Sequence, residues 1–162
     1  MRLKVVFLCP FGWPAVILSE PYSRSYEPNP NLYYLVCPHL RRQISRFEDG
    51  GLMRRLQLRI QNEPELAEDL RAAHEAHRSE WKQAVSAMEI PSSRQKIEPP
   101  GIAATEKEFM LKCLHAHFAW YLTHPQYRLG GILSEELGMI WCREEDCRRM
   151  IDGTGKGWPE SR

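Results

Sequence analysis

Apolar and polar positions near the N-terminus predict a small antiparallel sheet. Residues 2–8 (RLKVVFL) and 15–20 (AVILSE) are rich in β-forming residues, and the turn-forming segment CPFGWP separates them. Two such runs around a turn are typical of a β-hairpin. A third short run, LYYLV at residues 32–36, follows a proline-rich loop and predicts one more strand.

After residue 37 the apolar residues recur at intervals of three and four, which indicates amphipathic helices. The predicted helices cover residues 38–49, 52–62, 64–88, 106–123 and 132–152. Pro38 and Pro64 suit the first turn of a helix, where a missing N–H costs nothing. The pair Gly50 and Gly51 marks the end of the first helix.

These elements predict an α+β fold that is mostly helical, with a small antiparallel sheet of about three strands and four or five helices. The length of 162 residues suits one domain, which we expect to span residues 1–152. Its N-terminal hairpin and strand would occupy residues 1–37 and its helical part residues 38–152. We expect a long loop at 89–104 and a flexible tail at 153–162.

Composition and charge narrow the class of protein. Apolar residues make up 43% and charged residues 27% of the chain, and the formal net charge is +1. This balance is typical of globular proteins and gives no general attraction to nucleic acid or anionic membranes. No apolar run approaches the roughly 20 residues that span a bilayer. Pro10, Gly12 and Pro14 interrupt the apolar start, so we predict a hairpin rather than a signal peptide and expect a cytoplasmic protein.

The chain has five cysteines, and an odd number without a secretion signal argues against a disulfide scaffold. Free thiols in a reducing compartment are core residues, metal ligands or nucleophiles. Two of them, Cys9 and Cys37, precede a proline. A third, Cys113, lies close to two histidines.

Four stretches of the sequence occur in a recognisable order: CPFGWPAVI, NLYYLVCPHLRRQISRFEDGGLMRR, PELAEDLRAAHEAH and KCLHAH. The chain resembles a bacterial family of unknown function, domain-of-unknown-function family 501, over most of residues 5–140. The Cys-Pro-x-Gly motif of that family matches Cys9–Gly12, and its Leu-x-Cys-Pro motif matches Leu35–Pro38. Its Lys-Cys-Leu-His motif matches Lys112–His115.

The resemblance implies positions and a setting, but no reaction. The family has no established activity, and its genes often lie near a gene for a septum-formation initiator protein. It therefore implies a role around envelope growth or division, with a protein as partner. His124 departs from the family pattern, which has asparagine there, and His117, Cys142 and Cys147 match none of its motifs.

We predict a metal site that ties the N-terminal hairpin to the helical part. The candidate ligands are Cys9, Cys37, Cys113, His115, His117 and Cys142. Thiolates hold both zinc and iron–sulfur clusters, and zinc also accepts imidazole. The motifs imply Cys9, Cys37 and Cys113 as three of the ligands. Some relatives carry histidine at the position of Cys37, an exchange that a zinc site tolerates.

The fourth ligand stays open. On a continuous helix two positions differ by about 200°, so His115 would face away from Cys113. His117 is four positions from Cys113 and would share its face. If the helix is distorted at Lys112, His115 is again a candidate for the fourth ligand. Cys142 from the last helix is a third candidate.

Several alternatives remain open. The cysteines could be buried thiols without a metal, which is common for free cysteine. Cys113 beside Lys112 and two histidines could be a reactive thiolate, so an enzyme or redox protein is also open. Arginines within residues 41–59 could bind phosphate or nucleic acid, but their mixture with acidic residues favours a solvated helix face and argues against nucleic acid. Cys142 and Cys147 lie five residues apart, a poor chelating pair on one helix.

Overall fold

The computed structural model describes residues 2–95 and 97–151, and it confirms the predicted fold class. The strands β1 (Leu3–Leu8), β2 (Pro14–Ser19) and β3 (Tyr33–Leu35) form an antiparallel sheet in the order β1-β2-β3. The described part of the chain has six α-helices. They are α1 (Pro38–Asp49), α2 (Leu52–Asn62), α3 (Pro64–Ser86), α4 (Leu114–Thr123), α5 (Arg128–Leu137) and α6 (Asp146–Ile151).

The hairpin between β1 and β2 closes through a tight turn that depends on Gly12. The Gly12 amide donates to the Cys9 carbonyl at 2.9 Å, and the Cys9 amide donates to the Trp13 carbonyl at 2.8 Å. Gly12 has a φ of 79°, a left-handed conformation that glycine adopts without steric cost. The Cys-Pro-x-Gly motif therefore fixes the position of Cys9 at the end of β1.

The first three helices agree with the prediction, and their apolar stripes form the core. α1 and α3 begin at Pro38 and Pro64, and Gly51, with a φ of 78°, separates α1 from α2. The buried stripe residues are Leu40, Ile44, Leu52, Leu56, Ile60, Leu66, Leu70 and Trp81. Burial of these side chains is the main favourable contribution to folding in this part of the chain.

The prediction of a continuous helix over residues 106–123 is wrong in its first half. α4 begins at Leu114, and the preceding segment has turn or irregular backbone. Side-chain hydrogen bonds from α2 compete for the backbone groups of this preceding segment. The Leu111 amide donates to Gln57 Oε1, and Gln57 Nε2 donates to the Phe109 carbonyl, both at 2.9 Å.

The prediction of a single last helix over residues 132–152 is also wrong. α5 starts earlier, at Arg128, because the Asp69 carboxylate accepts the amides of Arg128 and Leu129 at 3.2 and 3.1 Å and caps the helix. The helix ends before Gly138, whose φ is 68°. The chain then bends for several residues before α6, and this break releases the C-terminal cysteines from one helix axis.

The last residues of the loop at 89–104 are hydrogen-bonded to α3. The Ile102 amide donates to His74 Nδ1 at 3.1 Å, and His77 Nδ1 donates to the Pro100 carbonyl at 2.9 Å. The loop contains two short 3₁₀ turns, Ser92–Arg94 and Ile102–Ala104. Both histidines are buried, so they belong to the core.

The predicted tail at 153–162 lies outside the described residues. Within the described residues, every helix is too short or too polar to cross a lipid bilayer.

Candidate functional site

A surface cleft of about 900 Å³ lies between the sheet and the helices α1 and α4. Its lining includes Asn31, Tyr33, Tyr34, Arg41, Arg42, Ser45, Arg46, Cys113 and His115. The cleft thus presents a thiol, an imidazole and guanidinium groups on one surface. Clefts of this size with a few convergent polar groups are typical of ligand sites.

Beside the cleft, Glu48 of α1 meets two residues at the start of α4, Cys113 and His115. One carboxylate oxygen, one sulfur and one ring nitrogen lie within 4.8 Å of one another. His115 Nδ1 is 3.3 Å from Glu48 Oε2 and 4.0 Å from Cys113 Sγ. His115 would face away from Cys113 on a continuous helix, but Cys113 has extended backbone (φ −154°) and precedes α4, which agrees with the alternative of a distortion near Lys112.

Two of the three side chains, Glu48 and His115, are each oriented by a further hydrogen bond. Glu48 Oε1 accepts the Leu114 amide at 2.8 Å, so the carboxylate also satisfies an orphan N–H of α4. His115 Nε2 is 3.1 Å from the Arg41 carbonyl, which only accepts, and this nitrogen therefore carries the proton. With Nε2 protonated, the lone pair of a neutral His115 lies on Nδ1, which faces Glu48 and Cys113.

The same contacts shift the pKa values of Cys113 and His115. Burial by itself raises the pKa of the Cys113 thiol, but hydrogen bonds from His115 and the Ala116 amide outweigh it and lower the pKa overall. The bond to Cys113 raises the pKa of His115 against the effect of burial, and the Arg41 carbonyl and Glu48 raise it further. The site therefore favours a thiolate beside a positive charge, and a bound cation can supply that charge in place of an imidazolium.

A thiolate, an imidazole nitrogen and a carboxylate oxygen are the three donor types that zinc binds. Tetrahedral coordination by Glu48, Cys113 and His115 would leave one position for water or a ligand atom. The Nε2–H bond to the Arg41 carbonyl is the outer bond that usually orients a metal-binding histidine. The donor set fits zinc better than an iron–sulfur cluster, which is held mostly by thiolates.

Three arginines from α1 add positive charge to the cleft. Arg42 is paired with Asp146, with its Nη2 at 2.8 Å from Oδ2. Arg41 and Arg46 line the cleft and are exposed. These two guanidinium groups lie on the same cleft as the thiol and imidazole, an arrangement suited to a phosphate or carboxylate.

Cys9, Cys37 and Cys142, which the sequence also marks as ligands, are not part of the group that Cys113 forms. Burial raises the pKa of Cys37, and the charges of Cys9 and Cys142 raise it further. The pKa of Cys147 is raised to about 11, first by burial and then by Cys37, Cys9 and Cys142.

His117 lies in the core, and its donor atoms are not part of the group that Cys113 forms. Its Nδ1 shares a hydrogen bond of 2.8 Å with the Tyr127 hydroxyl, and its ring packs edge-on against His74. Burial, and then the nearby His74 and His77, lower its pKa well below the usual value. This environment is that of a neutral core histidine.

The sequence-based interpretation missed Glu48 and Cys147. Glu48 carries no motif of its own, and it is adjacent to Asp49 on the polar side of α1, so nothing in the sequence distinguishes the two. Cys147 was set aside because a continuous helix would hold it apart from Cys142. Gly138 is the signal in the sequence that this helix breaks, since glycine commonly follows the last residue of a helix.

Comparison with known proteins gives one family match. The model of a family described as Protein of unknown function (DUF501) matches residues 5–133, most of the chain. The matched range includes Cys9, Cys37, Glu48, Cys113 and His115. No curated protein and no solved structure matches the chain.

Proposed function

Because the chain belongs to the DUF501 family of proteins of unknown function, we propose a function from its own geometry. In this proposal Glu48, Cys113 and His115 bind a zinc ion at the edge of the arginine-lined cleft. The bound ion and the arginines together bind an anionic ligand, of which phosphate is the simplest. The setting that the family resemblance implies, around envelope growth or division, stays part of the proposal.

The observation that carries this proposal is the convergence of three different donor atoms within 4.8 Å. Surface acidic groups cluster often, but here a thiol and an imidazole join the carboxylate, and each of the three side chains is half-buried. Preorganised ligands lose less freedom on binding, which favours affinity. The bonds from Leu114 to Glu48 and from His115 to Arg41 provide that preorganisation.

The open coordination position decides what such a centre can do. Structural zinc sites have four protein ligands, whereas sites with three keep a place for water or substrate. A ligand oxygen at that position would gain from the zinc charge and from Arg41 and Arg46 at once. Zinc also lowers the pKa of a bound water, so hydrolysis of a bound ester is chemistry that the centre could support.

A second candidate function uses the same residues without a metal. The lowered pKa of Cys113 and the raised pKa of His115 support a thiolate–imidazolium pair with Glu48 as the orienting carboxylate. Such a pair is the arrangement of a nucleophilic cysteine. The two candidates differ in a measurable way, because zinc would protect Cys113 from alkylation, whereas a nucleophilic thiolate would react rapidly in protein that carries no metal.

We expect Glu48→Gln to weaken zinc binding at this site by at least about tenfold to a hundredfold. Glutamine can still accept the Leu114 amide, so the helix start is kept while the anionic ligand is lost. Isothermal titration of metal-free protein with zinc measures the effect. Competitive titration against a chelator of known affinity extends the range if binding is tight.

The matched control for this variant is Asp49→Asn. Asp49 is adjacent on the same helix, is exposed, and is not part of the donor group. Its amide variant should bind zinc as the wild type does. Equal zinc affinity in Glu48→Gln and wild type would contradict the proposed metal site. Rapid alkylation of Cys113 that zinc does not slow would instead favour the metal-free thiolate.

We expect Arg46→Ala and Arg41→Ala each to raise the dissociation constant for inorganic phosphate about tenfold in zinc-loaded protein. A charge-assisted hydrogen bond to the anion is lost in each variant. Phosphate titration followed by calorimetry measures the change. Arg54→Ala is the control, because Arg54 lies exposed on α2 and does not line the cleft. If all three variants weaken binding equally, the effect is general charge and not the cleft.

A further inference from the structure

We propose that Cys9, Cys37, Cys142 and Cys147 form a second metal centre, held by four thiolates. It joins the β-hairpin, the start of α1 and the C-terminal segment. Its chemistry is that of a closed site, since four thiolates fill the coordination of a zinc ion or hold one iron–sulfur cluster. It is distinct from the Glu48–Cys113–His115 site and does not depend on it.

The backbone brings the first two thiols to one place. Cys9 directly follows β1, and its amide donates to the Trp13 carbonyl across the hairpin turn at 2.8 Å. Two residues after Trp13, the Ala15 carbonyl accepts the amides of Val36 and Cys37 at 2.9 and 3.4 Å. Cys37, the residue before α1, is therefore bonded to the strand that leaves the turn of Cys9.

Side chains of the C-terminal segment are bonded to the hairpin turn and to α1. Trp13 Nε1 donates to Glu145 Oε1 at 2.9 Å, which connects the hairpin turn to the residues before α6. Asp146 Oδ2 lies 2.8 Å from Arg42 Nη2 and 3.3 Å from His39 Nδ1, both on α1. These bonds fix the backbone directly before Cys147.

Aromatic stacking fixes the fourth thiol. Trp141 precedes Cys142, and its ring stacks on Phe7 of β1 with centroids 6.2 Å apart and planes 9° from parallel. The segment of Cys142 is thus held against the strand that Cys9 directly follows. Three chain segments, distant in sequence, deliver their cysteines to one region.

Three of the four thiols are buried, and burial raises the pKa of Cys37 and Cys147, so their thiolate forms would depend on a bound cation. Cys9, Cys37 and Cys147 are 8%, 3% and 3% exposed, and all of the cysteines are free thiols. The Cys37 sulfur accepts the amides of Leu40 and His39 in the first turn of α1. Amide bonds to sulfur stabilise the charged form, as in the outer shell of metal–thiolate sites.

Binding would draw the four sulfur atoms together. Among the described residues, no three of these four sulfur atoms lie within 4.8 Å of one another, so metal binding would have to bring them closer. The gain would be a cross-link between the hairpin and the C-terminal segment.

The test is metal analysis of the full chain, purified anaerobically without an affinity tag, together with its visible spectrum. Two zinc ions per chain, or one zinc ion and a brown iron–sulfur chromophore, support the second centre. Cys147→Ser should then lose the metal of the second centre and keep the zinc of the first. Glu48→Gln should show the reverse loss, so failure of one site is distinguishable from failure of the other.

A second measurement covers the case in which Cys147→Ser does not fold. Alkylation of wild-type protein, read by mass spectrometry, should modify the four cysteines together after chelation and spare them together before it. Cobalt-loaded wild type should show the strong sulfur-to-metal absorption of several thiolates. Alkylation of Cys9, Cys37, Cys142 and Cys147 at unrelated rates, with no effect of chelation, would overturn the proposal.

Discussion

Replacing Gly130 by alanine is expected to lower the free energy of unfolding by about 3 kcal/mol or more. Gly130 is buried in α5, where the helix crosses α4 at Tyr121. A methyl group at Gly130 would lie 2.5 Å from Tyr121 Cγ and 2.7 Å from Cδ2. Those atoms are near the root of the side chain, so the clash is relieved only by moving one helix away from the other. Urea unfolding followed by circular dichroism measures the loss.

Gly131→Ala is the matched control on the same helix. A methyl group at Gly131 meets nothing within 4 Å, so alanine adds helix propensity without a clash. We expect this variant to be more stable than the wild type by roughly 0.5–1 kcal/mol. If the two alanine variants have the same stability, then α4 and α5 do not cross at Gly130 as described.

Acidification from pH 7 to pH 5 is expected to destabilise the protein by about 2 kcal/mol through His74 alone. Burial, together with the nearby charges of Arg78 and His77, lowers the pKa of His74 from 6.5 to about 4 against the effect of the Met110 carbonyl. The unfolded chain takes up a proton near pH 6.5, whereas the folded chain does not until about pH 4. Stability is therefore complete above pH 7 and is lost as the pH falls through this window.

The hydrogen bonds of His74 and His77 explain why both side chains stay neutral. The Ile102 amide donates to His74 Nδ1, and the Leu32 amide donates to His77 Nε2, so both nitrogens act as acceptors. Protonation would place a second hydrogen in each of these bonds. Burial is also the main cause that lowers the pKa of His77 and of His117, so these two add to the loss.

The measurement is urea unfolding at a series of pH values between 7 and 5, together with an NMR titration of the histidine ring protons. The pKa of Glu80 lies below its usual value of 4.5. Measurements above pH 5 therefore separate the effect of the histidines on stability from that of Glu80. His117→Gln removes one buried titrating group and should reduce the slope of stability with pH. A flat stability profile, or a His74 resonance that titrates near pH 6.5, would contradict the prediction.

The sequence marks some of the candidate site residues but does not show how they group, and this difference has a physical cause. Local chemistry marks Cys9, Cys37 and Cys113, since each has a proline or a histidine within a few residues. Their grouping depends on where the helices break, and those breaks come from distant partners. Gln57 of α2 and Asp69 of α3 decide where α4 and α5 begin, and neither residue is near the break in sequence.

The hairpin, the third strand and the first three helices with their apolar stripes could be predicted from the sequence. These elements depend on short-range features: β-forming runs, helical spacing, prolines at helix starts and glycines at turns. The meeting of Glu48 with Cys113 and His115 depends instead on tertiary packing. Glu48 and His115 are 67 residues apart in the sequence. Their geometry follows from packing and from competing side-chain bonds, which no local pattern encodes.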